Sequence, residues 1–269
     1  MTDFHHKARK RFGQNFLIDD GIIARIARAV TPNANEQVVE IGPGKGAITE
    51  LMIAGCPSLK VVELDRDLIP WLKVKFERYP EFEVIAADAL KVDFAALAAP
   101  GKPLRIVGNL PYNISTPLIF HLLSFVGKVQ DMHFMLQKEV VQRMGAEPGS
   151  KTYGRLSVMV QYWCAVEYLF DVPPHCFSPA PKVDSAIVRL TPYAKPKVAA
   201  KDHQVLQELV TAAFSQRRKT LRNTLKQLMD VEQIDGLDFD ISRRPETISV
   251  DEYVFLANTL VDLRQSSQS

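Results

Sequence analysis

The chain predicts an α/β domain built on a parallel sheet, followed by a small all-helical domain, and three observations point that way. Short β-branched runs alternate with helical segments as far as about residue 192. One run opens directly into a glycine-rich turn, Val38-Val39-Glu40-Ile41-Gly42-Pro43-Gly44-Lys45-Gly46. Beyond Thr191-Pro192-Tyr193-Ala194-Lys195-Pro196-Lys197 the strand-like runs stop and helical spacing takes over.

Taken in order, residues 1–16 read as a basic arm. Asp19 or Asp20 is placed to cap a helix through Ile22, Ile23, Ile26, Ala27 and Val30. Strands are expected at Gln37–Ile41, Leu59–Leu64, Phe82–Ala86 and Leu104–Gly108, with helices or loops at 45–54, 66–78 and 115–125 between them. Such alternation gives βαβ units, hence a parallel sheet with helices on both faces. Met132–Leu136 adds a strand, Lys138–Met144 a helix, Ser157–Phe170 further strand-like material and Ala186–Leu190 a last strand. The domain is drawn over 17–192, a linker over 193–200, and a helical domain over 201–269, where Leu206, Leu209, Val210, Phe214, Leu221, Leu225 and Leu228 share one helical face through 229.

Composition sets limits. Hydrophobic residues at 46% and charged residues at 24% fit a globular chain and disfavour disorder, collagen and coiled coil. Lys plus Arg is 33 against 31 Asp plus Glu, so the net charge of +2 is too small to define a polyanionic partner and charge placement must decide. Cys56, Cys164 and Cys176 are far apart with no CxxC, which argues against a disulfide framework and suits a reducing compartment. His5 and His6 are adjacent, but no HExxH or His/Cys cluster gives metal-ligand spacing, so no metal site is expected. The basic start has no apolar segment after it, and no run approaches the ~18 apolar residues of a membrane span, so a cytoplasmic protein with no membrane partner is expected.

The glycine turn marks where a nucleoside ligand is expected, at the carboxyl end of a parallel strand. Gly42 and Gly44 permit positive φ and close approach of a ligand to the backbone. Glu63 ends the next strand, 21 residues after Gly42, where an acid can accept from both ribose hydroxyls. Asp88 ends the strand after that; it can accept from an adenine amino group or cap a helix. The spacing Gly42-x-Gly44-x-Gly46 is neither GxGxxG nor a Walker loop, which disfavours a dehydrogenase.

Gly108-Asn109-Leu110-Pro111-Tyr112 ends the fourth strand. Asn-Leu-Pro-Tyr resembles the amine-methylating signature of a family of methyltransferases, and that likeness implies an exocyclic amine as acceptor; on adenine such an amine is a poor nucleophile because its lone pair is conjugated with the ring. The Asn109 side-chain oxygen and the Leu110 carbonyl could accept its hydrogens and turn the lone pair toward an electrophilic methyl. Pro111 stiffens the turn and Tyr112 offers a ring for base stacking. Catalysis of this kind is mostly positioning.

The turn resembles motif I of S-adenosylmethionine-dependent methyltransferases. The whole chain resembles the bacterial small-subunit ribosomal RNA adenine dimethyltransferases, the KsgA family, through Arg9–Leu17, Val39–Gly44, Glu63–Asp67, Gly108–Pro117, Met132–Val141, Tyr153–Val158, Phe177–Ser185 and Gln216–Asn223. The resemblance implies a Rossmann-like class I methyltransferase sheet and S-adenosylmethionine as cofactor. It also implies two methyl groups placed on each of two adjacent adenosines near the 3′ end of 16S rRNA, in an assembling small subunit. Asn15 and Leu17 would close over the methionine part of the cofactor, Gly42 would lie against it, Glu63 would bind ribose, Asp88 adenine, and Asn109 both cofactor and target amine. Phe177, leading the proline-braced stretch Phe177-Ser178-Pro179-Ala180-Pro181, would press on the flipped base opposite Tyr112, its alternative being a core phenylalanine. A neutral Asn109 would also tolerate a once-methylated amine.

Lys7, Arg9, Lys10 and Arg11 form one basic cluster for RNA phosphates. Arg217, Arg218, Lys219 and Arg222 form another, with Arg218, Arg222 and Lys226 on one helical face and Arg243-Arg244 adding a further spot. The free protein is expected to be monomeric. Two other readings share features: the large-subunit rRNA adenine methyltransferases of macrolide resistance, disfavoured by Gln216–Asn223 and the Phe177 stretch, and an assembly factor acting by occupancy alone.

Overall fold

A computed structural model describes residues 14–216 and 218–266. In chain order it contains β1 (Phe16–Leu17), α1 (Asp20–Val30), β2 (Gln37–Ile41), α2 (Ala47–Met52), β3 (Lys60–Glu63), α3 (Leu68–Lys75), β4 (Glu83–Ala86), β5 (Leu104–Asn109), α4 (Ser115–Leu123) and β6 (Val129–Gln137). Then come α5 (Lys138–Met144), α6 (Arg155–Trp163), β7 (Cys164–Val172), β8 (Phe177–Ser178), β9 (Ser185–Pro192), α7 (His203–Ala213), α8 (Leu221–Thr224), α9 (Val231–Asp235) and α10 (Val250–Ser266).

Seven strands form one sheet in the order β4-β3-β2-β5-β6-β9-β7, and β1 pairs antiparallel with β8 in a separate two-stranded ribbon. The pairs from β4 through β6 are parallel, and β9 runs antiparallel to β6. Val38, Val39, Glu40 and Ile41 of β2 are buried at successive positions, as a strand covered on both faces requires. The strand order reverses at β2, which lies between β3 and β5, so the crevice at its carboxyl end is a topological switch point. Asp19 caps α1, accepting from the Ile22 amide at 2.8 Å, and the helix buries Ile22, Ile23, Ile26 and Val30.

The chain divides into two compact units, one ending at Pro192 and the other built from Gln142–Val166 and the chain from Tyr193 onward. The sequence assigns 142–166 to the first domain; its contacts assign it to the helical one. Tyr162 explains this, since its hydroxyl accepts from the Ala200 amide at 3.1 Å and lies 3.2 Å from His203 Nδ1. Strand-like material expected at Ser157–Phe170 starts instead as α6. Ser157 Oγ accepts from the Gly154 amide at 3.0 Å and fixes a helix start, and a short apolar run is compatible with either element. In the second unit α7 and α10 bury Leu206, Leu209, Val210, Tyr253, Leu256 and Leu260. The single helical face expected over 201–229 is broken after Ala213: Gln227 Nε2 donates to Ser215 Oγ at 2.8 Å, and Arg218 has φ +68°. Among the described residues no helix is long and apolar enough to cross a membrane.

At the amino ends of the central strands, Arg105 donates to both Asp131 carboxylate oxygens, at 2.9 and 2.8 Å, and to Glu36 at 2.9 Å. His133 lies beside this group, its side chain 1% exposed, with Nδ1 3.8 Å from Asp131 and neither ring nitrogen hydrogen-bonded. Burial holds its pKa down at about 4, against opposing attraction from Asp131. An unfolded histidine binds a proton near pH ~6.5, so below that value the unfolded state takes up a proton the native state refuses. Stability should therefore fall as pH drops from about 6.5 and level off near 4, a change of roughly 3 kcal/mol in total. Denaturant titrations across this range should show the slope, and His133→Leu should remove most of it; an unchanged slope would assign it to other groups.

Candidate active site

The first unit holds a cavity of about 870 Å³ at the carboxyl ends of β2, β3 and β5. Asn15, Leu17, Gly42, Gly44, Glu63, Asp88, Asn109, Leu110, Pro111 and Tyr112, each singled out from the sequence, all line it. The register explains why. Ile41 of β2 pairs with Gly108 of β5, so the residues that follow, Gly42 and Asn109, leave the sheet side by side.

The floor is the glycine turn. Gly42 has φ +68°, and Gly44 has φ +58° with the Phe16 ring where a Cβ would stand, 3.0 Å away. Side chains at these two positions would strain the backbone or displace the ring. The Gly46 amide closes the turn on the Pro43 carbonyl at 2.9 Å.

Glu63 is 6% exposed, and its two oxygens accept from the Gly44 amide at 3.3 Å and the Asp65 amide at 2.8 Å. Burial raises its pKa, and these two amides oppose the rise. The carboxylate is thus fixed at the cavity wall, with lone pairs left for a pair of hydroxyls. Asp88 caps a short 3₁₀ turn through Oδ1, which accepts from the Leu90 amide at 3.0 Å, and it also lines the cavity.

Glu40 was not singled out from the sequence. It is 1% exposed, lines the cavity, and accepts from Thr49 Oγ1 at 2.5 Å. Desolvation pushes its pKa up to about 7. The available signal was an acid inside an otherwise apolar, doubly covered strand, two residues ahead of Gly42.

Asn109 donates through Nδ2 to the Asn15 carbonyl at 3.0 Å. Gln14, the preceding residue, donates to Asp65 Oδ2 at 3.0 Å. The Leu110 amide donates to the Met135 carbonyl at 3.2 Å, and Tyr112 shares a 2.6 Å hydrogen bond with Ser185 Oγ that holds its ring in place. Burial raises the Tyr112 pKa, so the phenol stays neutral.

Phe177 requires a correction. It is 3% exposed and belongs to the apolar core, pairing with Leu17 across the ribbon, while Ser178 and Pro179 line the cavity. As folded it presents no free face to a base, because ribbon pairing turns it inward. The basic stripe is corrected too. Arg218 and Lys219 are exposed in the break after α7, Arg222 in α8 is paired with Asp235, and Arg243 is held by Glu252 at 2.6 Å. Lys7, Arg9, Lys10, Arg11 and Arg217 lie outside the described residues.

Among the described residues, one possible ligand set for a metal comes together, Asp19, His175 and Cys176, with ligand atoms within 4.8 Å of one another. Asp19 Oδ1 already caps α1, and burial raises the Cys176 pKa and disfavours its thiolate.

The family described as Ribosomal RNA adenine dimethylase matches residues 5–261. Ribosomal RNA small subunit methyltransferase A of Saccharophagus degradans is 62% identical over 255 residues, covering 95% of both chains. The protein of that name from Pseudomonas aeruginosa is 56% identical over 260 residues, covering 97% of both. Among solved structures, a dimethyladenosine transferase from Plasmodium falciparum aligns with a TM-score of 0.76 at 25% identity, over 94% of this chain and 98% of its own. The 23S rRNA methyltransferase ErmE aligns with a TM-score of 0.69, also at 25% identity, over 92% and 100%. With a family model matched over residues 5–261 and relatives 56–62% identical over nearly its whole length, the chain belongs to the ribosomal RNA adenine dimethylase family of methyltransferases.

Proposed function

We propose that the protein transfers methyl groups from S-adenosylmethionine to the exocyclic amines of two adjacent adenosines near the 3′ end of 16S rRNA in the assembling small ribosomal subunit, giving dimethyladenosines. The observation that carries this reading is the meeting of the glycine turn, Glu63 and the Asn109–Tyr112 strand end in one cavity. The small-subunit names of relatives 56–62% identical over nearly the whole chain support the choice of RNA.

The cavity suits the cofactor. The fixed Glu63 carboxylate matches a ribose diol, Asp88 an adenine amine, and the Gly42–Gly44 backbone leaves room for the amino-acid part. Glu40, at the same wall, would meet the ammonium group of that part. When bound, the cofactor supplies a sulfonium-activated methyl group. The protein's own residues position the acceptor: Asn109 and the Leu110 carbonyl take the amine hydrogens, and Tyr112 supplies a ring for the base. Arg218, Lys219 and Arg222, with Lys7, Arg9, Lys10, Arg11 and Arg217, would contribute phosphate contacts, which orient the RNA without reading its sequence.

The deciding assay incubates the protein and radiolabelled S-adenosylmethionine with unmethylated small subunits, large subunits and DNA. Label should enter small subunits; label confined to large subunits or DNA would overturn the reading. Asn109→Ala should abolish incorporation while binding of small subunits stays nearly intact, and loss of both together would make the residue structural. Glu63→Ala should weaken cofactor binding by about tenfold or more, the usual scale for a hydrogen bond to a charged group. Ionised Glu40 favours a cationic ligand, so cofactor affinity should rise as pH increases through about 7. Glu40→Gln should flatten that rise in calorimetric titrations from pH 6 to 8.

A further inference from the structure

The Asn109 side chain has a donor end and an acceptor end, and only the acceptor end can take a hydrogen from the target amine. Which end faces the cavity depends on what the other end meets. The terminal nitrogen lies 3.0 Å from the Asn15 carbonyl oxygen. A carbonyl only accepts, so the reversed amide would set two oxygens against each other at that separation. We infer that the backbone carbonyl of Asn15 orients Asn109, leaving its Oδ1 for the substrate, and that this contact makes an amide necessary at position 109. The inference rests on the functional reading above, in which residue 109 accepts from the amine. It differs from charge tolerance toward a methylated amine, the reason the sequence suggests.

The orienting carbonyl is itself held on both sides. Before it, the Gln14 amide donates to Asp65, which is 1% exposed and also accepts from the Asp67 amide at 3.2 Å. After it, Phe16 and Leu17 pair with Ser178 and Phe177, and the Ile18 amide donates to the Cys176 carbonyl at 2.9 Å. Gln14 therefore acts through Asn15 and is a positioning residue.

An aspartate at 109 makes the inference testable. Ionised, it offers only acceptors, and one would face the Asn15 carbonyl, so the group would swing away from its place or bind a proton. Protonated, it can donate to Asn15 through its hydroxyl and present its carbonyl to the amine, restoring the amide's pattern. Proximity to the carbonyl raises its pKa, because the protonated form is the one that gains the hydrogen bond.

Asn109→Asp should lose about 100-fold in kcat at pH 8.5, the scale of removing one positioned polar group at a reacting centre. Relative to the wild type, it should recover by about tenfold for each pH unit lowered, until the carboxyl is protonated. Both methyl transfers should fall by the same factor in mass spectra of the RNA product, because each needs the same acceptor oxygen. Wild-type activity at pH 8.5, loss with no recovery at lower pH, or failure confined to the second methyl would each overturn the inference. If the variant does not fold, Gln14→Ala replaces it: kcat should drop about tenfold with KM for small subunits unchanged, and an unaltered kcat would overturn the inference. Absence of label from small subunits with the wild-type protein would instead overturn the functional reading.

Discussion

The register between β2 and β5 is the constraint on which the site depends. Because Ile41 stands opposite Gly108, the glycine turn and the Asn-Leu-Pro-Tyr strand end leave the sheet next to each other. A Cβ at Gly42 would lie 3.7 Å from the Asn109 carbonyl oxygen, which measures how close the two chains run. Shifting a parallel strand by one residue would turn every side chain to the opposite face and separate these two turns. The β3 pairing does the same for Glu63, whose strand places it beside the turn and whose carboxylate the Gly44 amide then fixes. The arrangement of the candidate site is a property of strand alignment before it is a property of any one side chain.

Much of this was legible from the sequence because the cavity is lined by strand ends, where local pattern and candidate site coincide. Gly42, Gly44, Glu63 and Asn109 follow β-branched runs, and each lies at the cavity. What was not legible is long-range. The Asn15–Asn109 contact spans 94 positions and uses a backbone atom, and the Tyr112–Ser185 bond spans 73, so no residue pattern announces either. Phe177 is an aromatic that either reading of the sequence accommodates, and only ribbon pairing decides that it faces inward.

The C-terminal helices show the other limit. Apolar positions from Leu206 to Leu228 fit one helical face, yet the chain breaks between α7 and α8. Periodicity reports which side of each turn is apolar and is blind to a single residue in the left-handed region, here Arg218. Cations that share a stripe on an ideal helix are then distributed over a turn, a short helix and a 3₁₀ segment. Arg222 of that stripe and Arg243 of the separate basic spot are already engaged by Asp235 and Glu252, so an RNA phosphate would have to compete for them.

The two-stranded ribbon has a consequence for biosynthesis. It joins residues 16–17 to 177–178, so one of the earliest parts of the chain waits for a partner made some 160 residues later. Until that later stretch leaves the exit tunnel, the strand at residues 16–17 has an open edge, and the Asn15 carbonyl lacks its downstream anchor. Non-local pairings of this kind form late, which places completion of the pocket near the end of the first unit's translation.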